Sequence, residues 1–323
     1  MKAIEGSSSS SEAGEAAVGG DIESRQHQYL YLLGRPTLRQ YLRFVDSHAV
    51  AAPGHGALTD RWRAGLAQVE ALERDEAGAA DHATTSKLGP EFEPLLVELL
   101  QDPLVRDNFN TVPTDIAWVE LDRLVVYQKH IDLSHAQRIK ERLGPAPTPE
   151  QVFRTCLPHD HPRPPVRWAR VHRDRYVFVS PSNDLRVLTT RPLEWEQLRD
   201  VSPPGDVVGM VSLAVGFGAN FLNAILCDGR LLLDNGSHRA YALRQLGVTH
   251  VPCIVQHPAS REELLVIAPG DVRAEPDTYL THRRPPMLKD YFDSRLIDVF
   301  EAYRRLRQVT VSFQIEENSI PAL

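Results

Sequence analysis

The chain has little cysteine, no excess of basic charge and no long apolar run, and each shortage removes a class of function. Its three cysteines, Cys156, Cys227 and Cys253, stand far apart and form no CxxC pair. That spacing supports neither a disulfide framework nor a zinc knuckle. The apolar settings of Cys227 and Cys253 suit buried, inert thiols. No apolar stretch approaches the roughly 18 residues needed to span a bilayer. The opening "MKAIEGSSSSSEAGEAAVGG" has no apolar signal core, so a cytoplasmic protein is the expectation. A formal net charge of -7 argues against a surface built throughout for DNA, while leaving room for a local basic patch. No internal repeat is present.

What remains is ordinary globular material. Hydrophobic residues make up 42% of the 323 and charged residues 24%, enough for a sizeable core in one large domain or two smaller ones. Residues 1–22, rich in Ser, Gly, Ala and Glu, are expected to form a disordered tail. Residues 23–107 read as a helical N-terminal region. Leu38, Tyr41, Leu42 and Val45 recur at helical spacing behind Pro36, and Trp62, Leu66, Val69 and Leu72 share a face farther on. From 108 to 260 strands interleave with helices, which predicts an α+β domain. Within it, "LSHAQRIKERLG" is a compact helix with Ser134 as its expected cap and Gly144 as its stop. Residues 261–323 read as an extension with one long helix, "DYFDSRLIDVFEAYRRLRQ", and a final strand, "VTVSFQIEE".

The most informative stretch is "LLLDNGSHRAYALRQLGVTHVPCIVQ", residues 231–256. An apolar strand ends at Asn235-Gly236, a helix runs from Ser237 to Leu246, Gly247 stops it, and Pro252 lies early in the next strand. The first amides of such a helix, with its dipole, make an anion site. Ser237, His238 and Arg239 add donors suited to phosphate oxygens. The competing reading is that Ser237 only caps the helix. Strand alternation places Asp234 on the face opposite Asn235.

These residues resemble the ParB/sulfiredoxin-like superfamily, whose members share a Gly-x-x-Arg or Gly-x-His-Arg turn, a helix ending in Leu-Gly and a strand opening with Val-Pro. The matching positions are Gly236, Ser237, His238, Arg239, Ala242, Leu246, Gly247, Val251 and Pro252. Upstream, "VELDRLVVYQKHIDLSHAQRIKERLG" is similar to the family's opening strand and helix, with Gln128 near the ligand. The resemblance implies a mixed-sheet domain with an insert near 145–205. It also implies a nucleotide, ATP or CTP with magnesium, or another phosphorylated small molecule, held by Asn235, Gly236, Ser237, His238, Arg239 and Gln128. Ser237 stands where sulfiredoxins carry cysteine, which removes that chemistry. Asn235 stands where the family's serine kinases carry Asp. No helix-turn-helix follows Gln256, so sequence-specific DNA binding is not expected.

Two main readings stay open. In the first, the turn serves a nucleotide-dependent switch or binding module, with the helical N-terminal region engaging a protein partner. In the second, the chain is a phosphotransferase or nucleotide hydrolase, with His238 and Glu120 in proton transfer. DNA binding or nuclease activity is a weaker third. In "VFVSPSNDLRVL", Ser182, Asn183, Asp184 and Arg186 either line the ligand site or form a turn capped by Ser182 and Asn183. Gly216 and Gly218 read as a bend. His159, Asp160 and His161 read as solvated side chains, with no metal site expected. Arg283, Arg284 and Lys289 read as a surface charge run. Arg239→Ala is expected to abolish phosphate binding and leave the fold intact.

Overall fold

The computed structural model describes residues 27–193 and 207–321. The tail expected at 1–22 and part of the expected insert lie outside the described residues. The N-terminal part comprises β1 (His27–Leu32), α1 (Leu38–His48), α2 (His55–Asp75), β2 (Thr85–Lys87), α3 (Glu93–Gln101) and α4 (Pro103–Asn108). The middle comprises β3 (Thr114–Glu120), β4 (Val125–Val126), β5 (His130–Asp132), α5 (Leu133–Leu143), α6 (Pro149–Cys156), β6 (Arg167–His172), β7 (Arg175–Ser180), β8 (Leu185–Leu193) and β9 (Met210–Phe217). The remainder is β10 (Asn223–Cys227), β11 (Arg230–Asn235), α7 (Ser237–Gln245), β12 (His250–Gln256), α8 (Arg261–Ile267), α9 (Gly270–Ala274), α10 (Pro276–Leu280), β13 (Ile297–Ala302) and β14 (Arg307–Ser312).

The arrangement is mixed α+β, as expected. A six-stranded sheet in the order β2-β3-β12-β10-β11-β4 carries the main core. Val119, Leu121, Leu233, Ala242, Val251 and Ile254 are among the side chains sealed in it. β10 and β11 form a hairpin through Asp228 and Gly229, both at positive φ (50 and 74°), a turn whose twist matches the strands. α7 then carries the chain from β11 to β12, which pairs parallel to β10 and antiparallel to β3. Gly247, at φ 81°, follows α7 as the sequence predicts.

The N-terminal region is not purely helical. α1 and α2 form where periodicity places them, α1 behind a capping box between Thr37 and Gln40. β1, however, is the middle strand of a second sheet, β13-β1-β5, so it ties the N-terminal segment to both the middle and the end of the chain. Tyr29 to Leu32 are all buried, and such an unbroken apolar run carries no period to read.

Three further expectations are corrected. Asp132, not Ser134, caps α5, its carboxylate accepting the His135 N–H at 3.0 Å. The long C-terminal helix is absent: Leu288–Phe292 is a short 3-10 turn, and residues Ile297–Ala302 form β13. In β13, Asp298, Phe300 and Ala302 alternate inward. Buried Asp298 accepts from Tyr41 at 2.6 Å and Arg61 at 2.5 Å, and an inward carboxylate disguises the two-residue period. The basic run is also not all surface. Arg284 is 1% exposed, bonded to Asp290 and Glu76.

The expected insert divides physically. α6 belongs to the core, with Val152, Phe153 and Cys156 buried. Beyond it, β6 and β7 join β14 in a separate three-stranded sheet, and β8 pairs with β9. Among the described residues no helix is long and apolar enough to cross a membrane.

Candidate functional site

The 235–239 turn sits where β11 ends, and its geometry follows from packing. Gly236 adopts φ 102°, and a Cβ there would lie 3.0 Å from Leu222 Cγ. Left-handed backbone and close contact both demand glycine, irrespective of any ligand. The first hydrogen bond of α7 runs from the Ala240 N–H to the Gly236 carbonyl. The amides of Ser237, His238 and Arg239 therefore precede the helical ladder, as the first amides of any helix do. The N-cap is Gly236 and Ser237 is the first residue of the helix, so α7 has no side-chain cap.

Arg239 is buried, and its guanidinium is surrounded by carbonyl oxygens. It donates to the backbone oxygens of Asn220 (2.7 Å) and Cys156 (3.2 Å) and to Asn220 Oδ1 (3.0 Å). No described carboxylate bonds to it. Desolvation lowers its pKa, opposed in part by the charge of Asp184. The same contacts correct the expectation that Arg239→Ala leaves the fold intact, because Arg239 ties α6 and the 219–222 segment to α7.

His238 does not act as the expected donor through Nε2. That atom accepts the Asp132 backbone N–H at 3.0 Å, which places the ring proton on Nδ1. Burial, reinforced by His135 and His130, pushes its pKa down to about 3. A neutral acceptor at this position secures the β5–α5 corner to α7; it is no proton shuttle near neutrality.

Asp234 escapes the strand alternation. Asn223 pairs with Asn235 while Ala224 pairs with Leu233, leaving Asp234 in a β-bulge. Its carboxylate accepts from Asn223 Nδ2 at 2.8 Å, and its carbonyl accepts the Tyr127 hydroxyl at 2.8 Å. Burial raises the carboxyl pKa, with Asn223 and Arg186 acting against that rise. Asn235 instead donates to the Phe221 carbonyl at 3.0 Å. Asp234, Asn235 and Gly236 are all partly open to solvent.

The 180–186 loop contributes unevenly. Asp184 pairs with Arg186, and these charges act on Arg239 and Asp234 respectively. A Cβ at Gly218 would meet Arg186 Cζ at 2.7 Å, so that glycine makes room for the guanidinium. Ser182 is a turn former, its Oγ accepting the Asp184 N–H, and Asn183 is exposed. Gln128 lies beside the turn by the parallel register of β4 with β11, and donates to the His130 carbonyl at 3.0 Å.

Glu120 does not belong to this site. It pairs with His250 at the opposite end of the sheet, three strands and four residues from Asn235, about 20 Å away by strand geometry. Its ion partner is Arg123. His161, expected in solvent, bonds to Asp102 at 2.6 Å and meets the Phe221 ring edge-on. Among the described residues no group of three or more His, Cys, Asp or Glu is placed to hold a metal ion. A shallow depression on α1, lined by Leu38, Arg39, Leu42, Arg43, Asp46 and Ser47, falls on the segment expected to meet a partner and does not border the turn.

Sequence reasoning thus missed Asp234 as a site residue and did not name Tyr127. A bulge leaves no trace in a strand's alternation, but the Asp immediately before Asn-Gly was the available signal. No family model, curated protein or solved structure matches the chain.

Proposed function

We propose that this chain is a cytoplasmic, ParB/sulfiredoxin-like protein that binds a phosphorylated ligand, a nucleotide such as ATP or CTP, at the 235–239 turn, and acts as a nucleotide-dependent switch or binding module. One observation carries the reading. A buried guanidinium, Arg239, lies at the start of the nine-residue helix α7, hydrogen-bonded to carbonyl oxygens alone, with no described carboxylate in contact with it. Positive charge held this way, beneath a helix N-terminus, favours an incoming anion. Arg186, more exposed and beside Asp234, supplies a second cation. Magnesium fits as an ion carried in by a polyphosphate, which keeps most of its water, with Asp234 or Asp184 offering an oxygen.

A second reading, phosphotransferase or nucleotide hydrolase, is favoured by Asp234. A partly buried carboxyl with a raised pKa, beside a cation, is suited to accept a proton. Its role replaces that expected of Glu120 and His238.

Calorimetric titration of ATP, CTP, GTP and ADP, with and without magnesium, tests the proposal. Wild type should bind at least one of them, and Arg186→Ala, which leaves the core untouched, should weaken that binding about tenfold. Arg239→Lys should weaken it further. No binding by wild type, or full affinity in both folded variants, would remove the turn from consideration. Turnover of the bound nucleotide, lost in Asp234→Asn with binding kept, would select the enzyme.

A further inference from the structure

The sheet β14-β7-β6 offers a second, independent surface. Every residue of β6 is exposed, and the interior positions of β7 are only half-buried. Its register puts Trp168 beside Phe178, Arg170 beside Tyr176, and Val309 and Val311 on the same face. The rings lie nearly parallel. Trp168 and Phe178 are 6.2 Å apart at 24°, and Tyr176 and Phe313 are 6.5 Å apart at 25°. Trp168 is 65% exposed and Phe313 45%, a large apolar area to leave in water.

Charge says what covers it. Residues 163–175 hold five arginines and one aspartate, and residues 303–312 hold three arginines and no acid, in a chain of net charge -7. None of these arginines forms an ion pair among the described residues. Arg170 lies over the Tyr176 ring at 5.8 Å. No lysine occurs in either stretch. Guanidinium groups both stack on flat rings and fork onto phosphate, which lysine does not do. Stacked, half-open aromatics with Arg170 and Arg307 on their own face, and further arginines at its margins, match a strand of bases and phosphates better than an acidic peptide, which offers charge without π-faces.

We propose that this face binds single-stranded nucleic acid, with bases stacking on Trp168 and Phe313 and the arginines following the phosphates. The interaction is expected to tolerate sequence, since every base has a π-face.

The test is fluorescence anisotropy with fluorescein-labelled mixed-sequence RNA and DNA single strands of about 12 nucleotides, within the span of such sites. Wild type should bind one or both, more tightly than the matching duplex, and the affinity should fall with salt. Trp168→Ala, at an exposed position, should weaken binding about tenfold. Arg170→Glu should weaken it and flatten the salt dependence. Absence of binding overturns the proposal. So does equal binding of polyglutamate, which would mark an acidic protein partner, or an unchanged affinity in Trp168→Ala, which would leave charge alone. Loss of a wild-type dimer in Trp168→Ala would assign the face to a second copy of the chain.

Discussion

Arg239 and His238 illustrate how a residue legible in sequence acquires a different meaning in its packing. Both stand where the Gly-Ser-His-Arg pattern puts them, but hydrogen-bond partners on other elements, 19 to 106 residues away, decide what they do, and no local pattern reports those. Removing Arg239 strands the carbonyls of Cys156 and Asn220 and leaves a void. Arg239→Ala is therefore predicted to cost roughly 3 kcal/mol or more in a denaturant titration. His238 and His130 are held neutral in the fold, with pKa values pushed from 6.5 to about 3 and about 4, in both cases chiefly by burial. Since the unfolded chain takes up protons first, stability present above pH 6.5 is lost as pH falls toward those folded values. Each histidine withdraws about 1.4 kcal/mol per pH unit within its window. Urea midpoints measured from pH 7 to pH 5 should fall, and fall less steeply in His238→Gln.

At the scale of elements, periodicity succeeded where one face is buried and failed where burial is unusual. α1, α2, α5 and α7 were readable from spacing and capping, and the β10–β11 hairpin from Asp228-Gly229. β1 was hidden by its continuous apolar run, and β13 by inward Asp298. The bulge at Asp234 follows from pairing two strands, so neither strand alone contains it. Glycines separate these causes cleanly. Gly236 and Gly247 both have positive φ, but only Gly236 is pressed against a neighbour, whereas nothing lies within 4 Å of a Cβ on Gly247. Gly247→Ala should cost about 1 kcal/mol from backbone conformation, and Gly236→Ala clearly more, by thermal or chemical unfolding.

At the scale of the whole molecule, the two ends of the chain meet. β1 lies between β13 and β5, and Arg284, buried between Asp290 and Glu76, fastens the C-terminal segment to the end of α2. Breaking that contact with Arg284→Met leaves Asp290 buried and uncompensated, and is predicted to destabilise the whole protein by about 3 to 5 kcal/mol. A loss below 1 kcal/mol would mean the C-terminal segment is only loosely held. This closure is invisible to a reading that moves along the chain segment by segment, which is why the N-terminal region looked separable. It also supports the 235–239 turn through Asp132, which pairs with Tyr29 of β1 and donates its backbone N–H to His238. Phosphate-ligand binding at the 235–239 turn is tested most directly by amide NMR of the folded protein during titration with the tightest-binding nucleotide. The backbone amides of Gly236, Ser237, His238 and Arg239 should shift first and most. Saturable binding that leaves these amides unmoved, or no binding at all, would contradict a phosphate site at this turn.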